Sequence, residues 1–205
     1  MHRSARSLSI AIAAVAAIAV SGPACADGVK GFEAYEKGDY ATAMKEFMPL
    51  AAAGQTSAQA AVGQMYFEGK GVKPDPAEAA KWLEPAAKAG NARAQFLLGK
   101  LYLSGEGVAA ADPAKALALS KAAADQGMAE AQVDTCALYY QGVGVPKDLT
   151  QAYLYATLAA RQGNEDGKNI LELLTQDMKP EDVAKGDAAV KAWKQVLPDI
   201  QDPNP

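Results

Sequence analysis

One pattern recurs three times in the middle of the sequence and constrains the fold more than any other feature. Its copies begin at Ala58, Ala94 and Ala131, so that steps of 36 and 37 residues separate them. A fixed period of this size is typical of stacked repeats, in which each unit buries its apolar face against its neighbours. Because Ala and Gly dominate the composition and Ala favours helices, we expect the stacked units to be helical.

Each copy predicts a first helix, called helix A here, a loop and a second helix, called helix B. Small or apolar residues stand at offsets 0, 4 and 8 of helix A, which fall on one helical face and are predicted to be buried. At offset 5 a small residue recurs, which predicts a close crossing with a neighbouring helix. The buried stripe is Ala58, Val62 and Tyr66; Ala94, Leu98 and Tyr102; Ala131, Thr135 and Tyr139; and the small residues are Gly63, Gly99 and Cys136.

The loop of each copy contains two glycines and then an aspartate. The first glycine is predicted to end helix A, the second to allow a tight turn, and the aspartate to cap helix B. These residues are Gly69, Gly71 and Asp75; Gly105, Gly107 and Asp112; Gly142, Gly144 and Asp148. None of the loops completes the G-x-G-x-x-G or G-K-[ST] pattern of a phosphate-binding loop, so we interpret the glycines as turn residues.

The remaining segments flank the array. A short helix-turn-helix opens it, with a second helix from Tyr40 to about Ala53 that Asp39 caps. After the third copy, Asp166 to Gln176 is predicted to form a further helix A with Ile170, Leu173 and Leu174 buried. A last helix, more polar than the repeats, is predicted to run to about Val196 with Val183, Val190 and Trp193 inward and to cap the array. Pro85 is predicted to kink or weaken helix B of the first repeat. The predicted units are a leader at 1–26, the opening unit at 27–57, repeats at 58–93, 94–130 and 131–165, capping helices at 166–197 and a disordered tail at 198–205.

The first 26 residues have the features of a secretory signal peptide. Arg3 and Arg6 precede an apolar run of 13 residues, and Ala24-Cys25-Ala26 supplies small residues for cleavage after Ala26. The sequence therefore predicts a periplasmic or secreted protein. A membrane anchor and lipidation of Cys25 remain as alternatives, although the run is short for a span and Gly22 does not fit a lipidation signal.

Loss of the leader changes the chemistry that is available. The single histidine and Cys25 are removed, and the charge becomes 18 basic against 24 acidic residues, a net of −6. This argues against nucleic acid or anionic lipid as the main partner. One cysteine, Cys136, remains and cannot form an intramolecular disulfide. We expect no catalytic, cofactor-binding or metal-binding residues and no enzyme activity, although plentiful carboxylates leave a glycosidase open.

The recurring pattern A-x-x-x-L-G-x-x-Y-x-x-G-x-G-V, followed by Asp and A-x-x-[WY], resembles the Sel1-like repeat, a relative of the tetratricopeptide repeat. The resemblance implies an all-α, right-handed α-solenoid of stacked helix-turn-helix units. It also implies an adaptor in protein complexes, with exported bacterial members implicated in envelope processes, polysaccharide production and host contact. One exported subfamily with a disulfide in each repeat has been linked to penicillin binding, but this chain lacks those cysteine pairs.

A second face of helix A, at offsets 2, 6 and 9, is the predicted binding surface. It mixes apolar and polar residues and could hold an extended or helical peptide. The alternative is that the same residues pack between repeats. The leading hypothesis is a periplasmic, non-enzymatic adaptor with a protein or peptide partner; a cell-wall-directed hydrolase or β-lactam-binding protein and a self-associating structural protein are the alternatives. The predicted partner-binding residues are Gln64, Phe67, Phe96, Lys100, Leu103 and Tyr140.

Overall fold

A computed structural model describes residues 23–196, with side chains from residue 28 onward, and within that range the chain forms ten α-helices and no strand. Most of the predicted leader and the predicted tail at 198–205 lie outside the described residues. None of the described helices is long and apolar enough to cross a membrane. The helices are α1 (Pro23–Glu36), α2 (Tyr40–Ala52), α3 (Thr56–Glu68), α4 (Pro76–Lys88), α5 (Ala92–Ser104), α6 (Pro113–Asp125), α7 (Ala129–Gln141), α8 (Leu149–Arg161), α9 (Glu165–Asp177) and α10 (Pro180–Ala192).

Consecutive helices pack against each other along the whole array. Each of α1 to α8 contacts the helix that follows it, and α8 contacts both α9 and α10. Helices α3, α5 and α7 are the predicted A helices, and each begins two residues before the predicted start of its repeat. This is the all-helical stack that the 36- to 37-residue period predicts.

The predicted stripe of helix A, at offsets 0, 4 and 8, is largely buried. Ala58, Ala94 and Ala131 are buried, as are the three residues at offset 4, whereas Tyr66 and Tyr139 at offset 8 are half-buried. A Cβ atom on Gly63 would lie 2.6 Å from Leu83 of α4. A Cβ atom on Gly99 would lie 2.9 Å from Ser120 of α6. The helices of the first two repeats therefore cross closely at offset 5, as predicted, and the third repeat accommodates the small Cys136 there.

Helix B starts where the aspartates predict. Asp75 caps α4 by accepting hydrogen bonds from the backbone N–H groups of Ala77 and Glu78, both at 3.0 Å, and Asp112 and Asp148 cap α6 and α8 in the same way. The second loop glycine has an additional role. Gly107 has a φ of +69° and packs directly on the backbone of Pro76, at the start of helix B in the preceding repeat. The loop thus fixes the spacing between repeats.

A repeated glutamine also joins neighbouring units. The side-chain amides of Gln59, Gln95 and Gln132 donate hydrogen bonds to carbonyl oxygens in the last turn of the preceding helix B, at 3.3, 3.2 and 3.1 Å. Each of these carbonyls also accepts a hydrogen bond from the backbone N–H of the glycine that follows its helix, at 3.0, 3.0 and 2.9 Å. The glutamine therefore supplies an additional bond that links each helix A to the preceding unit.

Two predictions about the capping helices need correction, whereas the predicted kink or weakening at Pro85 stays a prediction. Helix α4 runs through Pro85 without interruption, and Pro49 occupies the corresponding position of α2, so this proline is not peculiar to one repeat. In α9, Leu174 is buried but Leu173 is 64% exposed, so the predicted burial of Leu173 is wrong. Helix α10 ends at Ala192, earlier than predicted. Leu173 stays exposed because no further A helix follows α9 within the described residues to cover its outer side.

Candidate functional site

The predicted partner-binding residues divide into two groups. Phe96 is only 6% exposed and belongs to the main hydrophobic core, and Phe67 packs against that core. Leu103 and Tyr140 are each 42% exposed. The face at offsets 2, 6 and 9 of α3, α5, α7 and α9, called the A surface here, is therefore partly inter-repeat core and partly open surface.

At the N-terminal end of the A surface, polar side chains are bonded to one another. Gln64 donates to Glu68 at 2.7 Å and to the Tyr35 hydroxyl at 3.3 Å, and the Arg93 Nε donates to the Gln64 Oε1 at 3.1 Å. Lys70 donates to the Tyr35 hydroxyl at 2.9 Å and lies 2.7 Å from Glu68. This polar network of Tyr35, Gln64, Glu68, Lys70 and Arg93 connects α1, α3 and α5.

The network also sets the protonation of its charged members. Burial by itself raises the pKa of Glu68, but hydrogen bonds from Lys70 and Gln64 outweigh burial and lower the pKa below its usual value. Hydrogen bonds to Glu68 and Tyr35 raise the pKa of Lys70. The Glu68 carboxylate and the Lys70 ammonium group are therefore both charged near neutral pH and paired with each other. Few of their hydrogen-bonding positions are left for a ligand.

Lys100, in the middle of the A surface, is also engaged within the chain. Its Nζ lies 2.9 Å from the Asp134 Oδ2 of the next A helix and 4.9 Å from the centre of the Phe96 ring. The predicted partner-binding lysine therefore links α5 to α7.

The C-terminal end of the A surface has a different character, because α7 and α9 leave a cavity between them. Its volume is about 360 Å³, and we call it the α7–α9 cavity. Tyr140 and Leu173, two of the most exposed large apolar residues described, lie on its walls. The lining residues are Cys136, Ala137, Tyr140, Gln141, Ile170, Leu173, Leu174, Gln176 and Asp177.

Cys136 forms part of the cavity wall but does not offer a reactive thiol. The residue is fully buried, and burial raises the pKa of its thiol to about 12. The thiol is therefore protonated at neutral pH and acts as a small apolar group, as its place in the glycine column predicts.

The α9 residues of the cavity were not among the predicted binding residues. The sequence does contain a signal for them, because Leu173 follows Ala137 by 36 residues and so continues the offset-6 row of Gln64, Lys100 and Ala137. Ile170, Leu174 and Asp177 lie on the same side of α9, three to four residues apart. The sequence predicts α9 as a further helix A, and continuing offsets 6 and 9 along it gives Leu173 and Gln176 of this wall.

A second group of contacts fixes the chain end that follows α10. The Asp125 carboxylate accepts hydrogen bonds from the Tyr155 hydroxyl at 2.8 Å and from the Trp193 Nε1 at 3.3 Å, and the backbone N–H of Val196 donates to the Asp125 carbonyl at 2.8 Å. A cavity of about 380 Å³ next to this segment is lined mainly by polar side chains. No group of His, Cys, Asp and Glu residues within the described range could hold a metal ion.

Comparison with known families supplies the assignment. The model of the Sel1 repeat matches three consecutive segments, residues 56–91, 92–128 and 129–164. The chain belongs to the Sel1 repeat family. The three matched Sel1 repeats coincide with α3–α4, α5–α6 and α7–α8, and each begins two residues before the repeat starts chosen from the sequence.

Solved structures show the same architecture. The protective antigen c5321 of uropathogenic Escherichia coli strains, which displays an SLR fold, is 26% identical with a TM-score of 0.76, over 83% of this chain and 37% of the antigen. A Sel1 repeat protein from Oxalobacter formigenes is 27% identical with a TM-score of 0.69, over 80% of this chain and 68% of that protein. This chain thus spans little more than a third of the antigen. A comparison with curated proteins gave no match.

Membership of this family has a general functional meaning. Sel1 repeat proteins generally mediate protein–protein interaction, and their scaffolds are generally non-enzymatic. The open part of the A surface is the candidate site for such an interaction in this chain.

Proposed function

We propose that this Sel1 repeat protein is a non-enzymatic periplasmic adaptor that binds a protein or peptide partner at the α7–α9 cavity. The observation that carries the proposal is the open apolar wall formed by Tyr140 and Leu173. The leader in the sequence supports the location, and the envelope, polysaccharide production and stress responses are the processes in which we expect such an adaptor to act.

Covering exposed apolar side chains is favourable because it removes apolar surface from water. Leu173 is 64% and Tyr140 is 42% exposed, and both border the same cavity. Covering a Leu or a Tyr ring stabilises a complex by roughly 1–3 kcal/mol per side chain. Apolar residues around a concave site are typical of the central anchor of a protein interface.

The size of the cavity limits what it can take. Ligand pockets have volumes of about 300–1,000 Å³, so a cavity of about 360 Å³ holds one or two side chains rather than a whole polypeptide segment. Gln141 and Gln176 on its wall can bond to the backbone or to polar groups of the bound segment. A helix or an extended peptide with a single apolar anchor fits this arrangement.

A capture experiment with matched variants tests the binding site. The tagged mature chain is mixed with envelope extract, captured proteins are identified by mass spectrometry, and the purified candidate is titrated by calorimetry. Replacing Tyr140 and Leu173 by Ser should weaken binding at least about tenfold, which corresponds to about 1.4 kcal/mol, and leave the melting temperature unchanged. Val29→Ser, at an exposed apolar residue far from this cavity in sequence, is the control. A specific partner that binds the double variant as tightly as the wild type contradicts the proposal.

The location is tested separately by fractionation. We expect the mature chain in the periplasmic or secreted fraction, with an N-terminal residue of Asp27 by mass spectrometry. An uncleaved chain in the cytoplasm, or one that partitions with membranes, would contradict this part of the proposal.

A further inference from the structure

Helix α9 carries all of the excess negative charge of the described side chains. Its 13 residues include four carboxylates and one lysine, a net charge of −3. The other residues between 28 and 196 contain 17 acidic and 17 basic side chains and are neutral as a group. Helix α9, which forms one wall of the α7–α9 cavity, is therefore the most acidic of the described helices.

Asp177 brings this charge to the cavity itself. It lines the cavity, lies one helical turn after Leu173 and Leu174, and is exposed. No salt bridge to Asp177 occurs among residues 28–196, whereas the α9 residue Glu165 has Lys168 at 2.6 Å. Asp177 is the only charged residue of the cavity lining.

The position of Asp177 in its helix is unfavourable without a partner. It is the last residue of α9, and the last turn contains no basic residue. The C-terminal end of a helix carries partial negative charge, so a carboxylate there is repelled and a nearby cation is favoured. A cation that approaches Asp177 relieves this repulsion and pairs with the carboxylate at the same time.

Two lysines of the neighbouring helices and loops are engaged within the chain. Lys147 lies 4.2 Å from the centre of the Tyr140 ring, where it gains a cation–π contact, and Lys100 pairs with Asp134. Lys179 follows Asp177 by two residues and is exposed, but no salt bridge joins the two among residues 28–196. The one charged side chain on the described cavity lining is negative, and charge complementarity favours a basic partner.

We propose that the α7–α9 cavity binds a basic peptide segment of a partner protein, which inserts an aliphatic side chain between Tyr140 and Leu173 and places a Lys or Arg beside Asp177. This proposal rests on the proposed function and specifies the chemistry of the partner. Apolar contact with Leu173 supplies most of the affinity, while the pair with Asp177 supplies orientation and charge selectivity.

Three fluorescent peptides of equal length test the proposal by anisotropy against the full mature chain. The first alternates clusters of Leu and Lys along an amphipathic helix, the second has Glu in place of Lys, and the third has Ser in place of Leu. We expect the Leu/Lys peptide to bind at least about tenfold more tightly than either of the others. Its affinity should fall several-fold between 0.05 and 0.5 M NaCl, because ion pairs at a rim are screened by salt.

Variants of the chain locate the binding. Asp177→Asn should weaken binding of the Leu/Lys peptide about threefold to fivefold, as expected for an exposed ion pair, and Leu173→Ser about tenfold or more. Glu172→Gln removes the same charge from the same helix outside the cavity lining and should leave affinity unchanged. Equal melting temperatures of all three variants confirm that the fold is retained.

The possible results separate the two proposals. Tighter binding of the Leu/Glu peptide, or equal effects of Asp177→Asn and Glu172→Gln, overturns the basic partner while leaving the adaptor function intact. If Leu173→Ser leaves the affinity unchanged, the α7–α9 cavity is not the binding site, and both proposals are wrong about the site. Light scattering that shows a dimer, dissociated by Leu173→Ser, overturns the peptide proposal in favour of a second copy of the chain.

Discussion

The two ends of the A surface use equivalent positions of similar helices in opposite ways. At the N-terminal end, Gln64 is bonded on both sides, to Glu68 and Tyr35 and to Arg93 of the next A helix. At the C-terminal end, the equivalent positions hold Ala137 and Leu173, which border an open cavity. The polar side chains at the N-terminal end bond to one another, whereas the side chains at the C-terminal end border open space.

This contrast shows that a place on a repeat surface does not by itself define a binding site. A polar side chain that finds partners across the repeat boundary stabilises the stack and loses its capacity for a ligand. A small residue such as Ala137 leaves space, and a terminal helix such as α9 leaves apolar side chains uncovered. Binding capacity therefore concentrates where the array of described repeats ends.

The largest effect should come from the predicted binding residue that is buried. Phe96→Ala removes a ring from the core and should lower the free energy of unfolding by about 3–5 kcal/mol in urea denaturation. Leu173→Ala, at an open position, should change it by less than about 0.5 kcal/mol. If Phe96→Ala lowered the free energy of unfolding by less than about 1 kcal/mol, Phe96 would behave as an exposed residue such as Leu173, which would contradict its burial in the core.

A second substitution tests what holds the C-terminal end together. Asp125→Ala leaves the buried Tyr155 hydroxyl and the Trp193 Nε1 without their shared acceptor and should lower the free energy of unfolding by about 2–3 kcal/mol. Faster hydrogen exchange in α10 should accompany this loss. Asp134→Ala removes an exposed ion pair and is the control, with an expected cost below about 1 kcal/mol. Equal costs for the two variants would show that Asp125 does not fix the chain end.

A lysine in the α7–α9 cavity should weaken peptide binding. Ala137→Lys places in the cavity the residue type that Lys100 provides one repeat earlier, and it also repels a basic peptide. We expect the affinity for the Leu/Lys peptide to fall about tenfold, or about 1.4 kcal/mol, without a change in melting temperature. The smaller Ala137→Ser change should preserve binding. Undiminished binding by the lysine variant would mean that the peptide does not enter the cavity.

The smallest effect concerns the pH dependence of the polar network. The pKa of Glu68 is lowered in the folded chain from its usual value of 4.5, so its stabilising contribution is present above that value and is lost as the pH falls through the lower, folded pKa. The Glu68→Gln variant should therefore lose less stability than the wild type between pH 6 and pH 3.5, by under about 1 kcal/mol in urea denaturation. Glu172→Gln is the control. Identical pH dependence in wild type and Glu68→Gln would show that the network contributes nothing measurable.

Much of the fold could be predicted because the same residue pattern occurs in three copies, so that each structural interpretation of one copy could be compared with the other two. Asp75 and its two counterparts cap helix B, and the glycines at offset 5 allow the close crossing, since both depend on local geometry that the sequence specifies directly. The role of Gln59 and its counterparts was missed although they recur with the same period. Their bonds cross from one unit to the previous one, and periodicity alone does not show which side chains meet.

The candidate site was predicted only in part. Leu103 and Tyr140 are open as a binding surface requires, whereas Phe96 is core and Lys100 is paired with Asp134. Offsets along one helix identify a face, but the neighbouring helix decides whether that face is covered. The binding role of these residues stays a prediction for the experiments above.

The sequence by itself determined the repeat, the caps, the turns and the buried stripe of each helix A, because these follow from residue spacing and backbone preferences within about 37 residues. Only the tertiary structure decided that Leu173 is exposed, that Asp177 lies beside it, and that α7 and α9 enclose a cavity. Those features depend on the distance between helices of different units and on the absence of a covering helix in the described chain. Side-chain packing between units sets them. The 36-residue step from Ala137 to Leu173 indicates that the row continues, but it does not show which side chains stay exposed.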